Sequence, residues 1–161
     1  MGIIDTRIAE LGLELPPEIV PPPGVVLPFE LVRVVGERAV FSGHGPQAPD
    51  GSLCGPFGRV GEDVSVEEAY ASARLTTLSI LGSLRRELGD LDRIAGWVRV
   101  FGMVCSAPGF DRQPAVINGC SDLLLEIFGP EAGAHTRSAV GVAALPFGIP
   151  VEIEGEVVLH Q

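Results

Sequence analysis

Residues 135–155 read HTRSAVGVAALPFGIPVEIEG, two apolar runs on either side of Leu145-Pro146-Phe147-Gly148. Runs of this kind around a Pro-Phe-Gly break predict two strands at the end of the chain. The first opens with Arg137; the second carries Glu152, Glu154 and Glu156 at alternate positions. A period of two puts those carboxylates on one strand face, the pattern of a wetted face, and points His135 and Arg137 the same way.

Working outward, residues 29–35 and 38–45, separated only around Gly36-Glu37, predict a hairpin. A Pro/Gly-rich loop follows, PQAPDGSLCGPFG at 46–58. Ser65-x-x-Glu68 is a capping box, and Val66, Ala69, Ala73, Thr77, Ile80, Leu84 and Leu88 recur at helical spacing up to Gly89. IAGWVRVFGMVCS predicts a long strand. DRQPAVINGCSDLLLEIFG predicts a second helix, with Asp111 as N-cap, Pro114 in its first turn and Gly129 as terminator. The order is β-β-α-β-α-β-β, an α+β single domain with two helices on one face of the sheet. The opposite face is expected to be largely apolar, with nothing left to cover it, so self-association is expected. Residues 1–24 form an N-terminal arm, with helical spacing at Ile4, Ile8 and Leu11, and a Pro-rich connector; 25–161 form the domain.

Composition removes several function classes. The chain has 161 residues, 46% of them hydrophobic, enough for a core without disulfides. All 11 basic residues are arginine, so neither a Schiff-base lysine nor a phosphate-loop lysine is available. A net charge of −10 disfavours nucleic acid, whose phosphates need clustered cations. Cys54, Cys105 and Cys120 lie far apart, without a Cys-x-x-Cys pair or a histidine at ligand spacing, and read as reduced, mostly buried thiols with no metal site. No apolar run reaches about 18 residues and no leader pattern opens the chain, so no membrane partner and a cytoplasmic location are expected.

AVFSGHGPQAPDG, VINGCSDLLLEIFG and HTRSAVGVAALPFGIPVEIEG, in this order and spacing, resemble the signature regions of the reactive-intermediate deaminase (Rid, YjgF-like) family, over residues 25–159. The resemblance implies a chorismate-mutase-like fold, a homotrimer with clefts between subunits, and hydrolysis of 2-imino or enamine acids to 2-keto acids and ammonia without a cofactor. It implies that Arg137 grips the substrate carboxylate and that Glu152 holds the attacking water. The carbonyl of Ala139 assists, and Asn118, Ser42 and Gly43 line the cleft. Two positions depart from the family pattern. His44 stands where glutamine is common and brings a group able to titrate near neutral pH. Phe29 stands in place of a cleft tyrosine and brings no hydroxyl. His135 is a further candidate for cleft contact.

Independently of the resemblance, arginine's planar fork matches a carboxylate with two parallel hydrogen bonds. Imine hydrolysis needs a positioned water and a proton carrier more than a strong nucleophile. Each residue also has a plain reading: Arg137 as a solvated strand arginine or an ion-pair partner, Asn118 as helix surface, Ser42 as a turn-bonding hydroxyl, His135 as a strand-end surface residue. The alternative function is a non-catalytic trimeric module that binds small carboxylate metabolites.

Overall fold

In a computed structural model, which describes residues 2–161, α1 (Ile3–Glu10) precedes β1 (Val32–Val35), β2 (Arg38–His44), α2 (Val66–Leu88) and β3 (Ile94–Cys105). α3 (Gln113–Ala132), β4 (Thr136–Val142) and β5 (Val151–Leu159) complete the chain. The five strands form one sheet in the order β1-β2-β5-β3-β4. β4 runs parallel to β3, and every other neighbour is antiparallel. The two strands flanking the Pro-Phe-Gly break therefore do not pair with each other, because β3 lies between them.

Local chemistry explains most boundaries. Gly36 turns the β1–β2 hairpin at φ 60°, a region open to glycine. At α2 the Ser65 side chain accepts the Glu68 amide while Glu68 accepts the Ser65 amide, so both halves of the capping box form. α3 differs from expectation at its start: Arg112 is the N-cap and no side chain caps the turn, so Asp111 does not serve there. Gly129, at φ 76°, breaks the regular helix, and a last short turn through Pro130 follows it.

α2 and α3 cover one sheet face. Phe41, Val100, Val104, Val151, Ile153 and Val157 point into that layer and are buried. Phe41, Trp97 and Phe128 stack edge-on, with centroids 5.6 Å apart at each step. The opposite face is mixed and not the largely apolar surface expected above: Val35, Val40, Phe101, Met103 and Val140 lie on it by register. Arg33, Arg38 and Arg99 share it with Glu152, Glu154 and Glu156, and Arg38 pairs with Glu156. Strand alternation turns these apolar side chains inward and sets the three arginines and three glutamates on the open side.

The N-terminal residues are tied to this body. The Asp92 carboxylate accepts the Ile3 and Ile4 amides at 2.7 and 2.8 Å, satisfying two free donors of α1. Ile8 is only 5% exposed and joins the core. Further on, the Val20 amide bonds the Gly51 carbonyl at 3.1 Å.

α2 and α3 approach closely at Gly119, where an added Cβ would collide with the Tyr70 carbonyl. Glycine to alanine inside an exposed helix normally stabilises by about 1 kcal/mol. Here Gly119→Ala is expected to lower stability by about 1–3 kcal/mol, because the helices must separate. Urea unfolding reads this as a lower midpoint at unchanged slope. An unchanged or raised midpoint contradicts the close crossing.

Candidate functional site

Arg137 lies on edge strand β4 and reaches toward α3. Its Nη1 donates to Ser121 Oγ at 3.0 Å and its Nη2 to the Pro114 carbonyl at 3.2 Å. Neither partner is charged. Arg7, Arg38, Arg59, Arg74, Arg85 and Arg99 each lie within 4.0 Å of a carboxylate, which Arg137 does not among the described residues. A guanidinium has five N–H donors, so this one is held in place with donors to spare.

His135 meets the same serine, with Nε2 2.8 Å from Ser121 Oγ and Nδ1 2.7 Å from the Gly133 carbonyl. A carbonyl only accepts, so Nδ1 carries the proton, Nε2 accepts from the Ser121 hydroxyl, and the serine lone pairs face Arg137. Asn118 is exposed on α3, four residues after Pro114 and three before Ser121, on the helix face that meets Arg137. Ala139, two residues along β4, shares the side of Arg137. His135, Arg137, Ala139 and Asn118 thus make one group.

Glu152 anchors a second group. It is half-buried on β5, and burial, followed by the charge of Glu154, pushes its carboxyl above the ordinary glutamate value. The β2–β5 register slips between Phe41 and His44, and this irregularity turns the Gly43 backbone toward Glu152. A Cβ at Gly43 would stand 2.8 Å from the Glu152 Cδ, so glycine lets the carboxyl lie on the main chain. Gly43, Phe29 and Glu152 line one cavity of about 350 Å³. Ser42 is beside them, but its hydroxyl donates to the Glu30 carbonyl at 2.7 Å and so ties the preceding segment to β2.

His44 does not join either group. It is 1% exposed, beneath α2, with Nδ1 2.6 Å from the Ser42 carbonyl and Nε2 2.9 Å from Ser83 Oγ, a serine that also accepts from Arg86. Burial pushes its pKa down to about 4, the Ser42 carbonyl opposes this, and the Arg86 charge adds to it. The expectation of a group titrating near neutrality is corrected accordingly: the ring stays neutral there because its charge would be desolvated.

The two groups lie on opposite faces of the sheet. Val100 is opposite both Arg137 and Gly155, on the helix side; Met103 is opposite both Glu152 and Val140, on the open side. One copy of the chain does not bring Arg137 to Glu152. Sequence reasoning missed Ser121, which fixes Arg137, and the apolar walls above Glu152, which include Leu31, Phe147 and Ile149. The Ser-Asp-Leu-Leu run gave no sign of the former, because only the fold brings Ser121 to β4.

A family model described as "YjgF/chorismate mutase-like, putative endoribonuclease" matches residues 5–150. The chain belongs to this YjgF/chorismate-mutase-like family. Among its relatives, Protein TCP17 of Trypanosoma cruzi is 36% identical over 160 residues, 99% of this chain and 96% of that protein. Atu1372 of Agrobacterium tumefaciens, a protein of unknown function, has 35% identity at a TM-score of 0.85, covering 98% of this chain and 92% of its own. A Shewanella oneidensis protein described as a putative endoribonuclease has 33% identity and a TM-score of 0.86, with 97% and 99% covered. The YjgF-like match begins at residue 5, inside α1. Among the described residues no helix is long and apolar enough to cross a membrane. The three cysteines of this YjgF-like chain are free, and burial pushes the Cys120 thiol up to about 11.

His44 gives the folded chain a pH signature. In the unfolded chain it takes a proton near pH 6.5, and in the folded chain only near 4. Between those values the unfolded state binds more protons, so stability is complete above about 6.5 and falls as pH drops through the window. The loss reaches about 2 kcal/mol by pH 5. Denaturant titrations at pH 7.5, 6 and 5 are expected to show His44→Gln losing that much less than the parent. Parallel curves would remove the neutral, buried role of His44.

Proposed function

We propose that the protein hydrolyses 2-imino or enamine acids to 2-keto acids and ammonia, in clefts between the subunits of a homotrimer. The observation that carries this reading is the Arg137 guanidinium, pinned by Ser121 and the Pro114 carbonyl with no carboxylate partner among the described residues. Such a group suits a carboxylate ligand, and the fork gives two charge-assisted bonds. Glu152 lies on the opposite sheet face, so the reading sets Arg137 of one copy against Glu152 of its neighbour. Self-association here rests on site complementarity and on the open face, where the Arg38–Glu156 and Arg99–Glu154 pairs stand among exposed valines.

The chemistry then needs few groups. Glu152 accepts a proton from water as the oxygen bonds to the imine carbon, the C=N electrons pass to nitrogen, and the Glu152 carboxyl gives that proton to the nitrogen. The resulting carbinolamine gives its hydroxyl proton to the Glu152 carboxylate, which passes it to the amino nitrogen as the C–N bond breaks, leaving a keto acid and ammonia. A carboxyl held above its usual pKa suits a group that both takes and gives a proton. The Ala139 carbonyl would hold the water or the departing ammonia, and Asn118 and His135 would frame the carboxylate. The endoribonuclease wording attached to the family gains little from this chain, whose net charge is −10 and which has no lysine.

Arg137→Lys keeps the charge and loses the fork, and is expected to lower kcat/KM by about two to three decades, about 2–4 kcal/mol. Glu152→Gln is expected to lower kcat more than it raises KM. Keto-acid formation and ammonia release are measured on variants whose melting temperature and sedimentation match the parent. Near-parental kcat/KM in Arg137→Lys overturns the carboxylate role. Keto-acid binding without ammonia release from any imine supports the binding module instead.

A further inference from the structure

The reaction as drawn engages only the carboxylate and the imine of the substrate, and leaves the cavity beside Glu152 unused. That cavity holds about 350 Å³, roughly ten water-sized volumes. Glu152 is the only charged or polar side chain in its lining. The rest is apolar and comes from three segments far apart in sequence. Val20, Pro22 and Leu27 belong to the chain before β1; Leu53, Phe147 and Ile149 face them.

These walls are preorganised. The segment is held at one end by the Val20 amide on the Gly51 carbonyl, and at the other by Ser42, whose amide and hydroxyl bond Leu31 and Glu30. Pro21, Pro22 and Pro23 restrict the backbone between these ties. Phe147 sits at φ 58°, ψ 16°, a left-handed conformation that disfavours a bulky residue. It is the only non-glycine residue with positive φ among those described, and it stands on the cavity wall with half of its surface exposed. Local strain of this kind persists where the surroundings enforce it, and it clusters at ligand sites.

We propose that this cavity receives the substrate's side chain, so that the preferred substrates are 2-imino acids with bulky apolar side chains, branched aliphatic or aromatic. The segment before β1 and Phe147 act as specificity-determining walls. The proposal rests on the deaminase reading for its reaction, but not for its binding preference. A methyl side chain would leave most of the space unfilled, and a carboxylate side chain would be desolvated beside Glu152 without a partner.

The test uses the full chain. Imines are generated in place from alanine, leucine and phenylalanine by an amino-acid oxidase, and keto-acid formation is followed. In parallel, calorimetry measures binding of pyruvate, 4-methyl-2-oxopentanoate, phenylpyruvate and 2-oxoglutarate. The leucine- and phenylalanine-derived imines are expected to exceed the alanine-derived one in kcat/KM by roughly tenfold or more, and the bulky keto acids to bind more tightly in the same proportion. Phe147→Gly is expected to shrink that preference several-fold while the melting temperature holds or rises, because the strain is relieved; a purely structural role would move stability alone. Leu27→Glu is expected to weaken the bulky ligands most. Equal or better handling of the smallest imine, or pyruvate or 2-oxoglutarate binding as tightly as the bulky acids, overturns the proposal. Preferential binding of the bulky acids with no turnover of any imine overturns the deaminase reading and leaves this one standing. No binding of any keto acid overturns both.

Discussion

The double pairing of β3 governs the rest of the molecule. Its antiparallel partner β5 pairs along residues 94–104 and its parallel partner β4 along 99–105, so over the shared stretch the register of one is fixed against the other. Because side chains alternate along a strand, the three-residue step from Val100 to Met103 reverses the face. Arg137 is thereby committed to the helix layer and Glu152 to the open side. A one-residue slip of either strand would exchange these roles and turn buried valines to solvent.

The helix layer holds that register in place. Val100, Val104, Ile153 and Val157 are buried under α2 and α3, and Phe41, Trp97 and Phe128 bridge strand and helix. Within the sheet Gly155 permits a close approach of its neighbours, since a Cβ there would run into the Arg99 carbonyl of β3 and the Phe41 ring of β2. The same layer dehydrates His44 and supplies Ser121 to Arg137. Core and site therefore share walls, and the rigidity of the first positions the second.

Local signals were legible in the sequence, and long-range ones were not. Ser65 and Glu68 announce the start of α2 because their bonds close within three residues, and Gly36 announces the hairpin for the same reason. The strand order escapes such reading, since nothing near 136–142 says that β3 will separate it from 151–159. His44 was misjudged because its environment comes from Ser83 and Arg86, some forty residues away. The open face is hard to read from sequence because an apolar run suggests apolar character on both sides, whereas Arg33, Arg38 and Arg99 stand among Val35, Val40 and Met103 there. Arg137 and Glu152 were legible through motif resemblance, and Ser121 only through contact. The proline-rich stretch before β1 shows by composition only that it cannot enter a sheet interior; that it walls a cavity depends on Gly51 and Ser42.

A site divided between two faces of one sheet has a consequence for mixed populations of chains. On the composite reading, a chain lacking Arg137 still offers an intact Glu152 half, and a chain lacking Glu152 still offers an intact Arg137 half. Two inactive alleles in one cell would then complement each other, since some junctions in a mixed ring join the two sound halves. Conversely, a single doubly damaged chain spoils both junctions that it forms, and its effect would spread beyond its share of the population. Inheritance of activity in such a protein follows the geometry of neighbours and not the count of good copies.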